Sequence, residues 1–305
     1  MPNTLKYRPD IDGLRARAVV PVVLFHAGFN WIPGGYVGVD VFFVISGYLI
    51  TMILLAELSD GSFSIANFYE RRIRRLLPAL LFVLLVTTYF AWLWLPASEF
   101  HDYGQSLMAT AGFYSNFFFW KTSNYFSTAS ELMPLLHMWS LAVEEQYYIF
   151  YPLLLLFLWR IRANLYLFLG GTLLLSFLLA SWSISSNPES TFYLLPTRAW
   201  ELLVGAIAAM LHFQKRASLA NDAIANCGGI TGIFLILYAC ITFEVDASVP
   251  GPAALVPVSG AFFVITFCRE GSFEFQATRS SRSCVLQCVS LASALVSPGS
   301  LAFIR

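Results

Sequence analysis

Charge is scarce in this sequence: only 12% of its 305 residues are Asp, Glu, Lys or Arg, and eighteen basic residues balance eighteen acidic ones. A net charge of zero supplies no basic surface for nucleic acid and no polybasic grip on anionic lipid. Cysteine is also sparse. The five (Cys227, Cys240, Cys268, Cys284 and Cys288) show no CxxC or His-rich spacing, which argues for packing roles and against a metal site or a disulfide framework. No repeat, low-complexity tract or polar linker marks off a soluble domain. What the chain has instead is apolar surface, 58% hydrophobic and 16% aromatic, above the roughly 45–50% apolar content of soluble domains. Lipid is the solvent that such a composition requires.

Crossing about 30 Å of hydrocarbon at 1.5 Å per residue takes about twenty residues. Eight apolar stretches have about that length: Leu14–Trp31, Tyr36–Leu58, Leu76–Leu95, Ser140–Trp159, Asn164–Trp182, Pro196–Phe213, Cys227–Phe243 and Pro252–Cys268, with a weaker ninth at Cys284–Ile304. The start of the chain imitates a secretory signal, with Lys6, Arg8, Arg15 and Arg17 ahead of the run Ala18–Phe25. His26 interrupts that run and many further spans follow, so a retained first helix is expected. The segment Tyr103–Trp120 is apolar but dense in aromatic residues, which suits an interfacial helix. With it outside the bilayer and the N-terminus in the cytoplasm, fifteen of the eighteen basic residues face the cytoplasm, as the positive-inside rule asks. The fold class expected is all-α, a polytopic helical membrane protein with about eight to nine transmembrane helices plus an interfacial helix.

Ionisable residues inside such spans are costly, so each is a functional candidate. Arg71, Arg72, Arg74 and Arg75 put four guanidinium groups in five positions, an arrangement suited to an anion, although such runs also arise simply to orient a span. Arg15 and His26 are eleven residues apart, about 20° from eclipsed and roughly 16 Å apart along a helix. His26 and Asp40 flank the turn Trp31–Gly35 at similar depth, so a carboxylate-supported general base is expected there; a histidine bonded to a neighbouring helix is the alternative. His137, Glu144 and Glu145 form an array suited to proton relay. Arg198 and Glu201 are an i,i+3 pair that also suits a structural tie.

The segment Tyr7-Arg8-Pro9-Asp10-Ile11-Asp12-Gly13-Leu14-Arg15 followed by His26 resembles the opening of the bacterial acyltransferase-3 family, membrane O-acyltransferases of surface polysaccharides. The resemblance continues through Gly34–Thr51, through Phe68-Tyr69-Glu70-Arg71-Arg72-Ile73-Arg74-Arg75, through Pro134–Tyr148 with His137 and Trp139, and through Leu195–Leu202, covering about residues 6–270. It implies an acyl-CoA co-substrate, usually acetyl-CoA, reached from the cytoplasm, and as acceptor a hydroxyl of an envelope glycan or its lipid-linked precursor. No bound cofactor or metal is implied. By the same resemblance Arg15 and His26 are the family's Arg-x10-His pair, and Arg72 and Arg75 its donor-engaging Arg-x-x-Arg element, with Asp12 a further candidate. Arg17 stands where the family commonly has an apolar residue. After about Gly271 the resemblance calls for a Tyr-rich helix ending Leu-Trp-His-Trp-Pro, whereas this chain reads Ala277-Thr278-Arg279-Ser280-Ser281-Arg282-Ser283-Cys284. Residues 1–270 are therefore read as an acyltransferase domain and 271–305 as an atypical tail. A transporter or flippase of a glycan precursor is the other class that keeps polar residues at depth, and an inactive membrane fragment is the reading that the tail raises.

Overall fold

The computed structural model describes residues 8–122, 133–214, 222–244 and 249–268, and among them every regular element is helical. In chain order the helices are α1 (Pro9–His26), α2 (Gly38–Ser59), α3 (Ile65–Trp94), α4 (Ala97–Ala111), α5 (Ser115–Thr122), α6 (Met138–Arg160), α7 (Leu165–Ser183), α8 (Pro188–Tyr193), α9 (Leu195–Phe213), α10 (Asp222–Thr242) and α11 (Leu255–Phe267). Six of the described helical stretches are long and apolar enough to cross a membrane. Two expected spans fall short of that measure. One is α1, which carries Asp10, Asp12, Arg15 and Arg17 within eighteen residues, and the other is α11, with only thirteen. The ninth expected stretch, Cys284–Ile304, lies outside the described residues, as do the tail and its boundary near residue 270.

Local chemistry explains the boundaries. Proline at the first position of α1 forgoes an N–H that no helix would use, and Asp10 and Asp12 complement the positive end of the helix dipole. The Ser64 and Asn164 side chains accept from the backbone N–H of Asn67 and Leu167, capping α3 and α7. Because that cap starts α3 eleven residues before the expected Leu76, the whole arginine run is helical. The aromatic stretch expected as one interfacial helix over 103–120 is two helices, broken where Phe113 takes a positive φ of 55°. Fifteen and eight residues, roughly 22 and 12 Å long, are each too short to span.

Helix α2 is apolar on every side, and it is buried accordingly. One of its faces (Phe43, Ile50, Leu54) packs with residues of α6 and α9, and another (Val41, Val44, Ile45, Tyr48) with residues of α1, α9, α10 and α11. The most extensive contact in the fold is that of α2 with α9. It is possible because two glycines face it. A Cβ on Gly47 would lie 1.8 Å from the Leu202 carbonyl oxygen, and one on Gly205 would lie 1.9 Å from that of Val44. Without side chains there, the two backbones touch, the way helices gain dispersion energy where burying apolar surface gains nothing over lipid. At the periphery, α3 and α7 turn most of their large apolar side chains outward, as lipid-facing helices do.

Two ends follow from this arrangement. One, the histidine end, holds the close of α1 and the starts of α2, α6 and α9; the other, the arginine end, holds the start of α1, the close of α2 and the start of α3. Gly47→Ala and Gly205→Ala are expected to destabilise the protein by about 1–3 kcal/mol through overpacking. Gly170→Ala, where nothing lies within 4 Å of the new methyl, should be neutral or slightly stabilising. Thermal unfolding in detergent checks the contrast, and equal melting shifts at Gly47 and Gly170 would contradict the crossing described.

Candidate active site

His26 closes α1, and its ring is exposed. Its Nδ1 lies 2.8 Å from the Val22 carbonyl oxygen. A carbonyl can only accept, so Nδ1 carries the proton and, in the neutral ring, the basic lone pair is on Nε2. The orienting group is therefore a backbone oxygen one turn earlier on the same helix. His137, in the turn that starts α6, is close enough that the charge of one histidine acts on the other. The surface of His137 stays accessible, while protein crowds the rest of the ring. Burial first, and the field of His26 second, lower its pKa from 6.5 to about 4. At neutral pH His137 is thus an uncharged ring within electrostatic reach of a second imidazole.

Asp40 was expected beside His26; the structure sends it elsewhere. Arg198 Nη1 donates to Asp40 Oδ1 at 2.7 Å and to Glu201 Oε1 at 3.0 Å, and Arg198 Nε donates to the Phe192 carbonyl at 2.9 Å. The cause is azimuth rather than depth. Asp40, Val44 and Gly47 form one stripe of α2, spaced four and three residues apart, and that stripe is the one that meets α9. Trp139 completes this region, buried against Phe192 with ring centroids 4.6 Å apart and with the Arg198 guanidinium 5.3 Å from its own.

The expected array of His137, Glu144 and Glu145 divides in the structure. Glu144 lies two turns below His137, roughly 10 Å along the axis, and accepts from Ser46 Oγ at 2.5 Å and Tyr148 Oη at 2.6 Å. Glu145, turned about 100° further round, accepts from Arg72 Nη2 at 2.8 Å, and the Arg72 guanidinium lies 3.7 Å from the centroid of the Tyr148 ring. Deeper still, Thr51 and Tyr151 hydroxyls are 2.8 Å apart, and Tyr147 stacks on Tyr151. The carboxylates thus anchor α6 to α2 and α3 separately.

The arginine run is less open than four cations in five positions suggests. Arg71 pairs with Glu57, Arg72 with Glu145 and Arg74 with Glu70, which leaves Arg75 exposed and without an ion pair among the described residues. Arg15 meets Asp12 at 3.3 Å, both about a third exposed, a contact weak enough to open for a ligand. Sequence reasoning passed over Arg8. Its guanidinium donates to Tyr48 Oη at 2.9 Å, to His212 Nδ1 at 3.1 Å, to the Ile265 and Cys268 carbonyls at 3.2 and 3.4 Å, and to the Asp10 carboxylate. One side chain joins α1, α2, α9 and the carbonyl end of α11. The only sequence signal for it is its place in the Tyr7–Arg15 motif, where a basic residue before an apolar run reads as an orientation charge.

An arginine end and an imidazole end joined by one helix invite comparison with known proteins. A family model described as an acyltransferase domain matches residues 8–293. The chain belongs to the acyltransferase-3 family. It is 34% identical over 292 residues to the Bacillus subtilis protein named "Putative peptidoglycan O-acetyltransferase YrhL", covering 88% of this chain and 44% of that one. It is 33% identical over 281 residues to "Peptidoglycan O-acetyltransferase OatA" of Listeria monocytogenes, covering 88% and 45%. A Staphylococcus aureus protein named as a "Putative O-acetyltransferase" is 36% identical over 275 residues, covering 85% and 45%. The chain thus spans less than half the length of these relatives. No solved structure matches it.

For this acyltransferase-3 chain, histidine NMR in nanodiscs is expected to place the His137 midpoint near 4. His26→Gln should raise it only in part, because burial, the larger cause, remains. A parent midpoint near the ordinary 6.5, or a value indifferent to His26→Gln, would contradict the paired-imidazole geometry.

Proposed function

We propose that this chain is a multi-pass protein of the bacterial inner membrane, its N-terminus cytoplasmic, that moves an acyl group, acetyl in the first instance, from acyl-CoA to a hydroxyl of a cell-envelope glycan or its lipid-linked precursor. The observation that carries this reading is His26: Nδ1 is tied to the Val22 carbonyl, which fixes the tautomer, and the exposed ring sits at the far end of the helix that also bears Arg15. The names of the relatives support peptidoglycan as the class of acceptor.

In this reading the arginine end faces the cytoplasm and meets the donor. Arg75 is open to its phosphates, while Arg15 and Arg72 are held by carboxylates that an anionic ligand displaces. At the histidine end Nε2 takes the proton from the acceptor hydroxyl as its oxygen attacks the thioester carbonyl, the C–S bond breaks and CoA leaves as the thiolate. The same lone pair could instead receive the acyl group first and hand it to the hydroxyl. Both routes need Nε2 unprotonated, and neutral His137 adds no positive charge beside it at working pH.

Transfer of radiolabelled acetyl to envelope glycan in membranes carrying this chain tests the reading. His26→Ala should lower it by about 10²–10⁴-fold, the usual worth of a general base, with the protein still inserted. Arg75→Ala should raise KM for acetyl-CoA with little change in kcat, and Arg74→Ala should change neither, since Arg74 pairs within its own helix. Unchanged transfer by His26→Ala would overturn the proposal.

A further inference from the structure

The Asp40–Arg198–Glu201 cluster has one cation for two carboxyl groups in a place where water does not reach. Asp40 and Arg198 are each 1% exposed and Glu201 0%. Nη1 of Arg198 serves one oxygen of each carboxyl. The other two oxygens, Asp40 Oδ2 and Glu201 Oε2, are buried and receive no donor among the described residues, and the two carboxyl groups lie within hydrogen-bonding reach of each other. Around them, α10 brings Cys240 within electrostatic reach of Asp40. Helices α6 and α8 turn the rings of Trp139 and Phe192 to the guanidinium, at 5.3 and 4.7 Å. No second cation pairs with either carboxylate among the described residues. With both ionised, the cluster would hold a net negative charge in low dielectric and leave two buried oxygens without a donor, which burial penalises heavily. One proton relieves both penalties, because it neutralises the cluster and supplies a donor between the two carboxyl groups.

The geometry points to a proton-binding site in which Asp40 and Glu201 share one proton against Arg198, and whose neutral form positions Trp139 and the first turn of α6, and with it His137. Arg198 holds Trp139 by its π face and the end of α8 by the Phe192 carbonyl; Trp139 is two residues from His137. Asp40, Arg198 and Glu201 are positioning residues here, since none of them reaches the His26 ring. The proton itself does not depend on acyl transfer; only its consequence for His137 rests on the function proposed above.

Infrared difference spectroscopy of the folded, purified chain separates the two. The parent is expected to show the carbonyl stretch of a protonated carboxylic acid at neutral pH, and that band should vanish in Glu201→Gln and equally in Asp40→Asn. In either variant the surviving carboxyl must ionise to balance Arg198. Both single variants keep the cluster neutral and should retain acetyl transfer within a few-fold, whereas the double variant Asp40→Asn/Glu201→Gln strands the guanidinium and should lose folded protein or transfer. A band that survives Asp40→Asn would mean that burial alone protonates Glu201, which overturns the shared proton. Absence of any such band from the folded parent would overturn it without a variant. Loss of transfer in a single variant that has lost the band and stays folded would overturn the positioning role.

Discussion

Two helix backbones in contact are the constraint from which the rest of this structure follows. Where α2 crosses α9, Gly47 and Gly205 leave no side chain between the two backbones, and the stripe of α2 that bears Gly47 fixes what every other face of that helix can meet. Asp40, on the same stripe one end further, is delivered to Arg198 and Glu201. Ser46 and Thr51, on the side turned to α6, reach Glu144 and Tyr151. Tyr48 is left to meet Arg8 at the arginine end. In a lipid solvent, where burying an apolar side chain between helices gains little over leaving it in the bilayer, such close approach and the polar ties along it set which helices pair.

Around that crossing the chain separates two chemistries. Guanidinium groups gather where α1 and α3 begin, most of them already answered by carboxylates, and imidazoles gather where α1 ends and α6 begins. Helix α1 is the element common to both, with Arg15 and His26 roughly 16 Å apart on nearly the same face. In the function proposed, donor and acceptor are met at these two ends, and a single helix holds them at a fixed separation.

Much of this was legible in the sequence, because apolar length reports depth. Most expected spans became helices within a few residues of their limits, and the family followed from ordered blocks such as Gly34–Thr51 and Pro134–Tyr148. Azimuth was not legible. His26 and Asp40 have comparable depth, yet one bonds its own helix and the other faces α9. Glu144 and Glu145 are neighbours in sequence, and for that reason they point about 100° apart and serve different helices. The arginine run looked like an open anion site because two of its answering carboxylates, Glu57 and Glu145, come from other helices. Arg8 escaped notice for the same reason, since most of the groups it binds come from later helices. The break at Phe113 had no strong sequence signal beyond the preceding glycine, and a positive φ at a phenylalanine is set by its surroundings rather than by its own preference.

The claim on which the account turns is that donor and acceptor are met at opposite ends of α1. Sealed membrane vesicles of known orientation, supplied with radiolabelled acetyl-CoA that cannot cross the bilayer, test it most directly. Label should reach the glycan only when acetyl-CoA is presented to the face bearing Arg75, with the acylated product on the other side; transfer supported equally from the His26 face, or from that face alone, would contradict it.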